Sequence, residues 1–145
     1  MNSSPVRVAV GLGCDRGTPL ATLQQALEQA LALAGARLGD VVAAASIDLK
    51  ADEPGLLALA LQHGWTITFY SPEQLAAVPV PNPSETVRRY TGSPSVSEAA
   101  ALLSASALAG HCLPAAALLV EKHKHRGLDG RNATVSIARC IGPMS

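Results

Sequence analysis

Five short runs rich in β-branched or apolar residues alternate with helical patterns along this chain, and that alternation constrains the fold more than any single motif. The strand-like runs fall at 6–10, 41–47, 66–70, about 117–120 and 134–139. Between the first two, Leu20, Leu23, Ala26, Leu27, Ala30 and Leu31 recur at helical spacing, which predicts a helix over 19–34 stopped by Gly35. A second long helix is predicted over 97–108, where alanines at 99, 100 and 101 suit close packing. Such an order predicts a three-layer α/β/α sandwich on a mixed, mostly parallel sheet of about five strands. With 145 residues, 48% of them hydrophobic, the chain fits a single domain over 1–145 with a real core.

The helix starts repeat one device, a capping residue followed by proline. It is visible at Thr18-Pro19, at Ser71-Pro72 with Gln74 completing a capping box, and at Asn82-Pro83 with Glu85 in the same role. Ser95 with Glu98 forms a further box, and Asp52 is placed to cap a helix that begins near Pro54.

Composition excludes several classes of function. Eleven basic and eleven acidic residues leave no net charge, so nucleic acid is disfavoured as a partner and anion binding must come from local clusters. No apolar run reaches the roughly 20 residues that span a bilayer, and residues 1–5 lack the pattern of a secretion signal. A cytoplasmic protein without a membrane segment is expected. Cys14, Cys112 and Cys140 are widely spaced and odd in number, which argues for reduced thiols rather than a disulfide framework or a zinc site. No metal or other cofactor is expected.

Open α/β sheets bind ligands outside the carboxyl ends of their strands. The first such end carries Gly11-Leu12-Gly13-Cys14-Asp15-Arg16-Gly17-Thr18, read as a glycine-rich turn opening the first helix. Glycines at 11, 13 and 17 permit positive φ and close approach of the backbone, and amides at a helix N-terminus favour an anion, with Arg16 beside them. The sequence matches neither a Walker A loop nor a G-x-G-x-x-G fingerprint, because the third glycine falls at 17. Cys14 admits two readings, a thiolate activated by the helix end and Arg16, or a partly buried residue that packs the turn.

At the second strand end, Lys50 and Glu53 are candidates for pairing a substrate carboxylate and for general-base chemistry, against a bland reading as a solvated pair beside a helix cap. The loop and helix start at 82–89 and the turn at 91–95 complete the predicted rim. In 121–126, strand alternation puts Lys122, Lys124 and Arg126 on one side and His123 and His125 on the other. The basic side could form a carboxylate clamp joined by Arg131. The paired histidines are read as a solvated hairpin end in preference to a metal site.

Taken together, the segments at 11–18, 46–56 (Ser46-Ile47-Asp48-Leu49-Lys50-Ala51-Asp52-Glu53-Pro54-Gly55-Leu56), 83–87, 92–103 and 133–139 resemble the CobE/CbiG C-terminal family of cobalamin biosynthesis. They fall in order and cover almost the whole chain, which looks like the stand-alone, CobE-like form. Two positions depart from the family pattern. Asp15 stands where a basic residue is often found, and Glu121 where proline is frequent.

The resemblance implies a role in corrin-ring construction, with a polycarboxylate precorrin or corrinoid intermediate bound at the strand ends. Two alternatives accompany it. One is a hydrolase of the cobalt-precorrin-5A type that opens a ring lactone with release of acetaldehyde, for which Cys14 and Glu53 are the catalytic candidates. The other is a non-catalytic carrier that works with other corrin-pathway enzymes, the methyltransferases in particular. The substrate-binding positions expected in the first half are Gly13, Arg16, Gly17, Thr18 and Lys50. In the second half they are Ser84, Glu85, Ser95, Glu98 and Lys122.

Overall fold

The structure is a computed structural model that describes residues 7–92 and 95–140. Val6, Ser93 and Pro94, which belong to expected elements, lie outside the described residues. Five strands form one sheet in the order β3-β2-β1-β5-β4. They are β1 (Val8–Cys14), β2 (Val41–Ile47), β3 (Ile67–Tyr70), β4 (Leu118–Arg126) and β5 (Asn132–Arg139). β1 pairs in parallel with β2, and β2 with β3, whereas β5 lies antiparallel to both β1 and β4. Four strands therefore point one way and β5 alone reverses, because the turn at 127–131 folds it back on β4 as a hairpin.

Helices α1 (Leu20–Ala34) and α2 (Pro54–His63) are the crossovers of the parallel half and cover one face. Their Leu23, Leu27, Leu56 and Leu59 pack on Val8, Val10, Leu12, Val135 and Ile137. Burying one such leucine contributes about 1.5–3 kcal/mol. The opposite face holds α5 (Val96–Ala109), whose Ala101, Leu102 and Ala105 pack on Ala9 and Ala138. Two short helices, α3 (Pro72–Ala76) and α4 (Glu85–Thr91), precede it, and Leu75 of α3 joins Ala45, Ile47, Ala99 and Ala100 beneath it.

β1 alternates large residues toward α1 with small ones toward α5, and the small side decides how closely α5 can sit. A Cβ on Gly11 would fall 1.9 Å from the Ser97 carbonyl oxygen and 2.6 Å from the Ala101 nitrogen. Only hydrogen at position 11 lets α5 rest against the sheet at this distance.

Three strands run beyond the expected bounds, β5 by only two residues, since it begins at Asn132. β1 continues through Gly11 and Gly13 to Cys14, because both glycines pair with β5, Gly11 with Ser136 and Gly13 with Thr134. The expected glycine turn thus shrinks to 15–17, where only Gly17 takes a positive φ, of 82°. β4 extends to Arg126, since its charged residues alternate beside Thr134, Ala133 and Asn132.

The capping expectations divide. Ser71 and Gln74 form their box, and Ser71 Oγ accepts from the Gln74 amide at 3.2 Å. The cap of α4 is Ser84, whose Oγ accepts from the Val87 amide, so Asn82 and Glu85 are not its box. Thr18, Asp52 and Ser95 cap nothing with their side chains, because each group is engaged or enclosed elsewhere, as described below.

Candidate functional site

A cavity of about 500 Å³ opens at the carboxyl ends of the strands, where the open-sheet rule places it. Its floor is a row across the sheet in which Thr134 pairs with Gly13 on one side and Lys124 on the other. Ile47 and Lys50 from the end of β2 form a second wall, and the first turn of α5 a third. Thr86, Val87 and Tyr90 of α4 overhang it. Tyr90 is 79% exposed, an aromatic ring left in water at the mouth.

Charge at the rim is unbalanced. Lys50, Lys122 and Lys124 line the cavity, and among the described residues none is in a salt bridge. Lys122 Nζ donates to the Asn82 carbonyl at 2.9 Å. A register shift between Val120 and His123 turns the strand so that Lys122 reaches the cavity while His123 and His125 face α1. There the two imidazoles meet Gln29 at 2.7 Å and Gln25 at 2.8 Å. Asp15 is the one carboxylate lining the cavity among the described residues, and its Oδ2 accepts from the Asn132 amide at 2.8 Å.

The turn at 15–17 is not a vacant anion site. The Gly17 amide donates to Glu53 Oε2 at 2.9 Å, the Asp15 amide to the Asn132 carbonyl, and the Thr18 amide to the Asp15 carbonyl. The Thr18 hydroxyl also donates to the Asp15 carbonyl, at 2.7 Å, which explains why it does not cap α1. The anion that the loop was expected to draw from a ligand is supplied from within the fold, by Glu53.

Glu53 itself is fully buried, and its Oε1 lies 3.1 Å from Arg16 Nη1. Together with Gly17 and Thr18 it lines a smaller cleft beside α1 and α2, not the cavity at the strand ends. A carboxylate so enclosed is a clamp for the turn, and the geometry speaks against a role as general base. Arg16 touches the cavity edge, but its guanidinium is already bound to Asp52 Oδ1 at 3.0 Å and to the Leu49 carbonyl at 3.0 Å. That pairing is why Asp52 does not cap α2, and it holds the Asp52 carboxyl below its usual range.

Cys14 does line the cavity, yet its thiol is shifted the wrong way for a nucleophile. Burial pushes it up to about 11, against the pull of the Lys50 ammonium. Of the two readings of Cys14, this direction favours the partly buried residue that packs the turn.

The remaining expected contacts also separate. Ser84 and Ser95 line the cavity. Glu85 is exposed and pairs with Arg88 at 3.7 Å. Glu98 is fully buried and accepts from both the backbone amide and Nδ2 of Asn82, at 3.2 and 2.7 Å. Asn82 is thereby fixed against α5, which is why it does not cap α4. Arg131 stays out of the clamp, because Asp129 holds its Nη1 at 3.0 Å. Reasoning from sequence missed Thr134, Asn132 and Tyr90. The first two were readable only from the pairing of β5, and Tyr90 only from where α4 lies.

Among the described residues no helix is long and apolar enough to cross a membrane. The family model described as Cobalamin synthesis G C-terminus matches residues 8–138. A "Cobalt-precorrin-5A hydrolase" of Priestia megaterium is 42% identical over 99 residues, which are 68% of this chain but 26% of that protein. "Protein CobE" of Sinorhizobium sp is 42% identical over 100 residues, 68% of this chain and 65% of that one. The match therefore spans less than two thirds of either relative's length. The solved structure of CobE, described as a protein from the cobalamin (vitamin B12) biosynthetic pathway, superposes with a TM-score of 0.77 at 35% identity, covering 97% of this chain and 95% of the other. Matched by the family model across nearly all of its described length, the chain belongs to the Cobalamin synthesis G C-terminus family.

Proposed function

We propose that the cavity at the strand ends binds a polycarboxylate corrin-type intermediate of cobalamin biosynthesis, and that the protein holds and transfers this ligand rather than transforming it. The observation that carries the reading is the lining itself. Ile47, Val87, Val96 and Tyr90 offer an apolar surface, while Lys50, Lys122 and Lys124 stand around it with no salt bridge to a carboxylate among the described residues. A corrin-type macrocycle has the complementary pattern, a wide apolar ring fringed with acetate and propionate groups. A cavity of this size, open to solvent, admits one edge of such a ring and leaves the rest accessible to a second protein.

Two features favour carriage over lactone hydrolysis. Burial raises the Cys14 thiol, and Glu53 faces away from the cavity, with Oε2 held by the Gly17 amide and Oε1 in an ion pair with Arg16. A carrier of this kind hands its ligand to other corrin-pathway enzymes. We take the setting to be the cytoplasm, where the three free cysteines remain reduced.

The test is a titration of cobyrinic acid, a corrin bearing free carboxylates, followed by its visible absorption. Binding at micromolar protein is expected, weakened roughly tenfold by Lys122→Gln, since a charge-assisted hydrogen bond contributes about 1.5–3 kcal/mol. No change in absorption or affinity at that concentration contradicts the proposal. Release of acetaldehyde from a lactone-bearing precorrin by the purified protein would instead establish the hydrolase reading.

A further inference from the structure

We infer that the first turn of α5, with the Ser95 hydroxyl and the Lys122 ammonium, is a carboxylate subsite, the place where one acidic side chain of the ligand is anchored. The inference rests on the reading of the cavity as a corrin-type site and assigns a role to residues that the fold alone leaves unexplained.

Ser95 is the central observation. It is 1% exposed and lines the cavity, and among the described residues its Oγ has no hydrogen-bond partner. A buried hydroxyl without a partner is costly, and in a native protein such a group is normally satisfied by something. The obvious internal solution would be to cap α5, and the structure does not take it. Ser95 occupies the cap position with extended backbone, at φ −159° and ψ 97°, but makes no side-chain bond to the helix. The hydroxyl is left available to donate at the edge of a cavity.

Beside it, the amides of the first turn of α5 have no acceptor within the helix, and the positive end of the helix dipole lies there. α5 is a helix of 14 residues, and Val96 and Ser97 line the cavity with Ser95. The cation is held close by two separate chains of contacts. Glu98, in the same turn, fixes Asn82, whose carbonyl accepts from Lys122 Nζ at 2.9 Å. Ser97 Oγ lies 2.8 Å from Ser136 Oγ, which in turn donates to the Glu121 carbonyl. Both chains tie position 121–122 of β4 to the start of α5, so ammonium, hydroxyl and helix amides share one wall.

The ligand chemistry follows from these donors. A carboxylate offers two oxygens that accept only, enough for one hydroxyl, one helix amide and an ammonium at once. A neutral amide or ester in the same place loses the charge-assisted part.

The subsite has its own readout, independent of the corrin. In an amide NMR titration of the full chain with succinate, the Val96 and Ser97 signals are expected to shift, and the shift should weaken at least fivefold in Ser95→Ala. Ser95→Ala removes an unpaired hydroxyl, so its melting temperature without ligand should be unchanged or slightly raised, which keeps the variant interpretable. Absence of a succinate shift at Val96 and Ser97, or equal shifts in wild type and variant, overturns the subsite. With cobyrinic acid, the variant should bind roughly five- to tenfold more weakly, while the fully esterified corrin should not distinguish the two proteins. Cobyrinic acid that binds both proteins equally overturns the subsite and leaves corrin binding standing. Cobyrinic acid that fails to bind wild type, with the succinate shifts intact, refutes the corrin reading and supports the subsite.

Discussion

Glu53→Gln separates a structural carboxylate from a catalytic one. In the wild type, Oε2 accepts the Gly17 amide at 2.9 Å and Oε1 faces Arg16 Nη1 at 3.1 Å. A glutamine keeps an acceptor for Gly17 but turns an NH₂ group toward the guanidinium, so a donor meets a donor inside a fully buried position. Losing the ion-pair contact of Oε1 with Arg16 and leaving a buried amide facing a cation together cost about 1.5–3 kcal/mol. The upper part of that range must be discounted, because Arg16 is 60% exposed and retains Asp52 as a partner. The expected loss is therefore about 2 kcal/mol, read as a lower urea midpoint with unchanged slope, and as a melting temperature lowered by roughly 6–10 °C. Under conditions where the variant is folded, cobyrinic acid should bind within about threefold of wild type, since a clamp outside the cavity adds no contact to the ligand. An unchanged urea midpoint together with abolished pathway flux would refute the reasoning and restore Glu53 as a catalytic group.

Three further outcomes follow from the same geometry. Gly11→Ala and Gly13→Ala should differ sharply, because a Cβ at 11 meets the backbone of α5 at 1.9 Å whereas one at 13 has only Thr134 Cβ at 3.9 Å. The first should lower stability by about 1–3 kcal/mol or more and weaken ligand binding through Ser97, and the second should stay within about 1 kcal/mol; similar denaturation midpoints for the two variants would contradict the packing account. Alkylation of Cys14 by iodoacetamide, followed by mass spectrometry, should be slow at neutral pH and rise steeply toward pH 11. The stabilisation linked to this thiol is fully present below its ordinary value of 9.0 and is lost as pH rises through about 11, because the folded state holds the proton more tightly; rapid modification of Cys14 at pH 7 would reverse the assignment. Asn82→Ala leaves the buried Glu98 carboxylate without its side-chain donor, which should cost about 1–3 kcal/mol and speed amide exchange in α4.

The fold was legible where local pattern and tertiary structure agree. β2 has its expected bounds, β3 begins one residue late, and α1 and α5 end before Gly35 and Gly110. The location of the cavity was legible too, since it follows from strand polarity. What sequence could not give was the competition for side-chain hydrogen bonds. Thr18, Asp52, Asn82 and Ser95 all satisfy a local capping rule, and the first three are drawn elsewhere, Thr18 to the Asp15 carbonyl three residues back, and Asp52 and Asn82 to Arg16 and Glu98, partners that only the folded chain brings near. Gly11 and Gly13 read as part of a glycine-rich turn because their neighbours in β5 lie far away in sequence. The same distance hid the internal anion, Glu53, that fills the amide site of the turn. Lys50 and Lys122 kept their expected place at the rim, because alternation along β4 and the end of β2 fix where those side chains emerge.

The most direct measurement is an amide NMR map of the full chain titrated with cobyrinic acid. The account predicts that the largest perturbations cluster at Gly13, Ser97, Lys124 and Thr134, the residues that share the cavity at the strand ends. Perturbations confined to the cleft at Gly17, Glu53 and Gly55, or an unperturbed spectrum at saturating ligand, would contradict it.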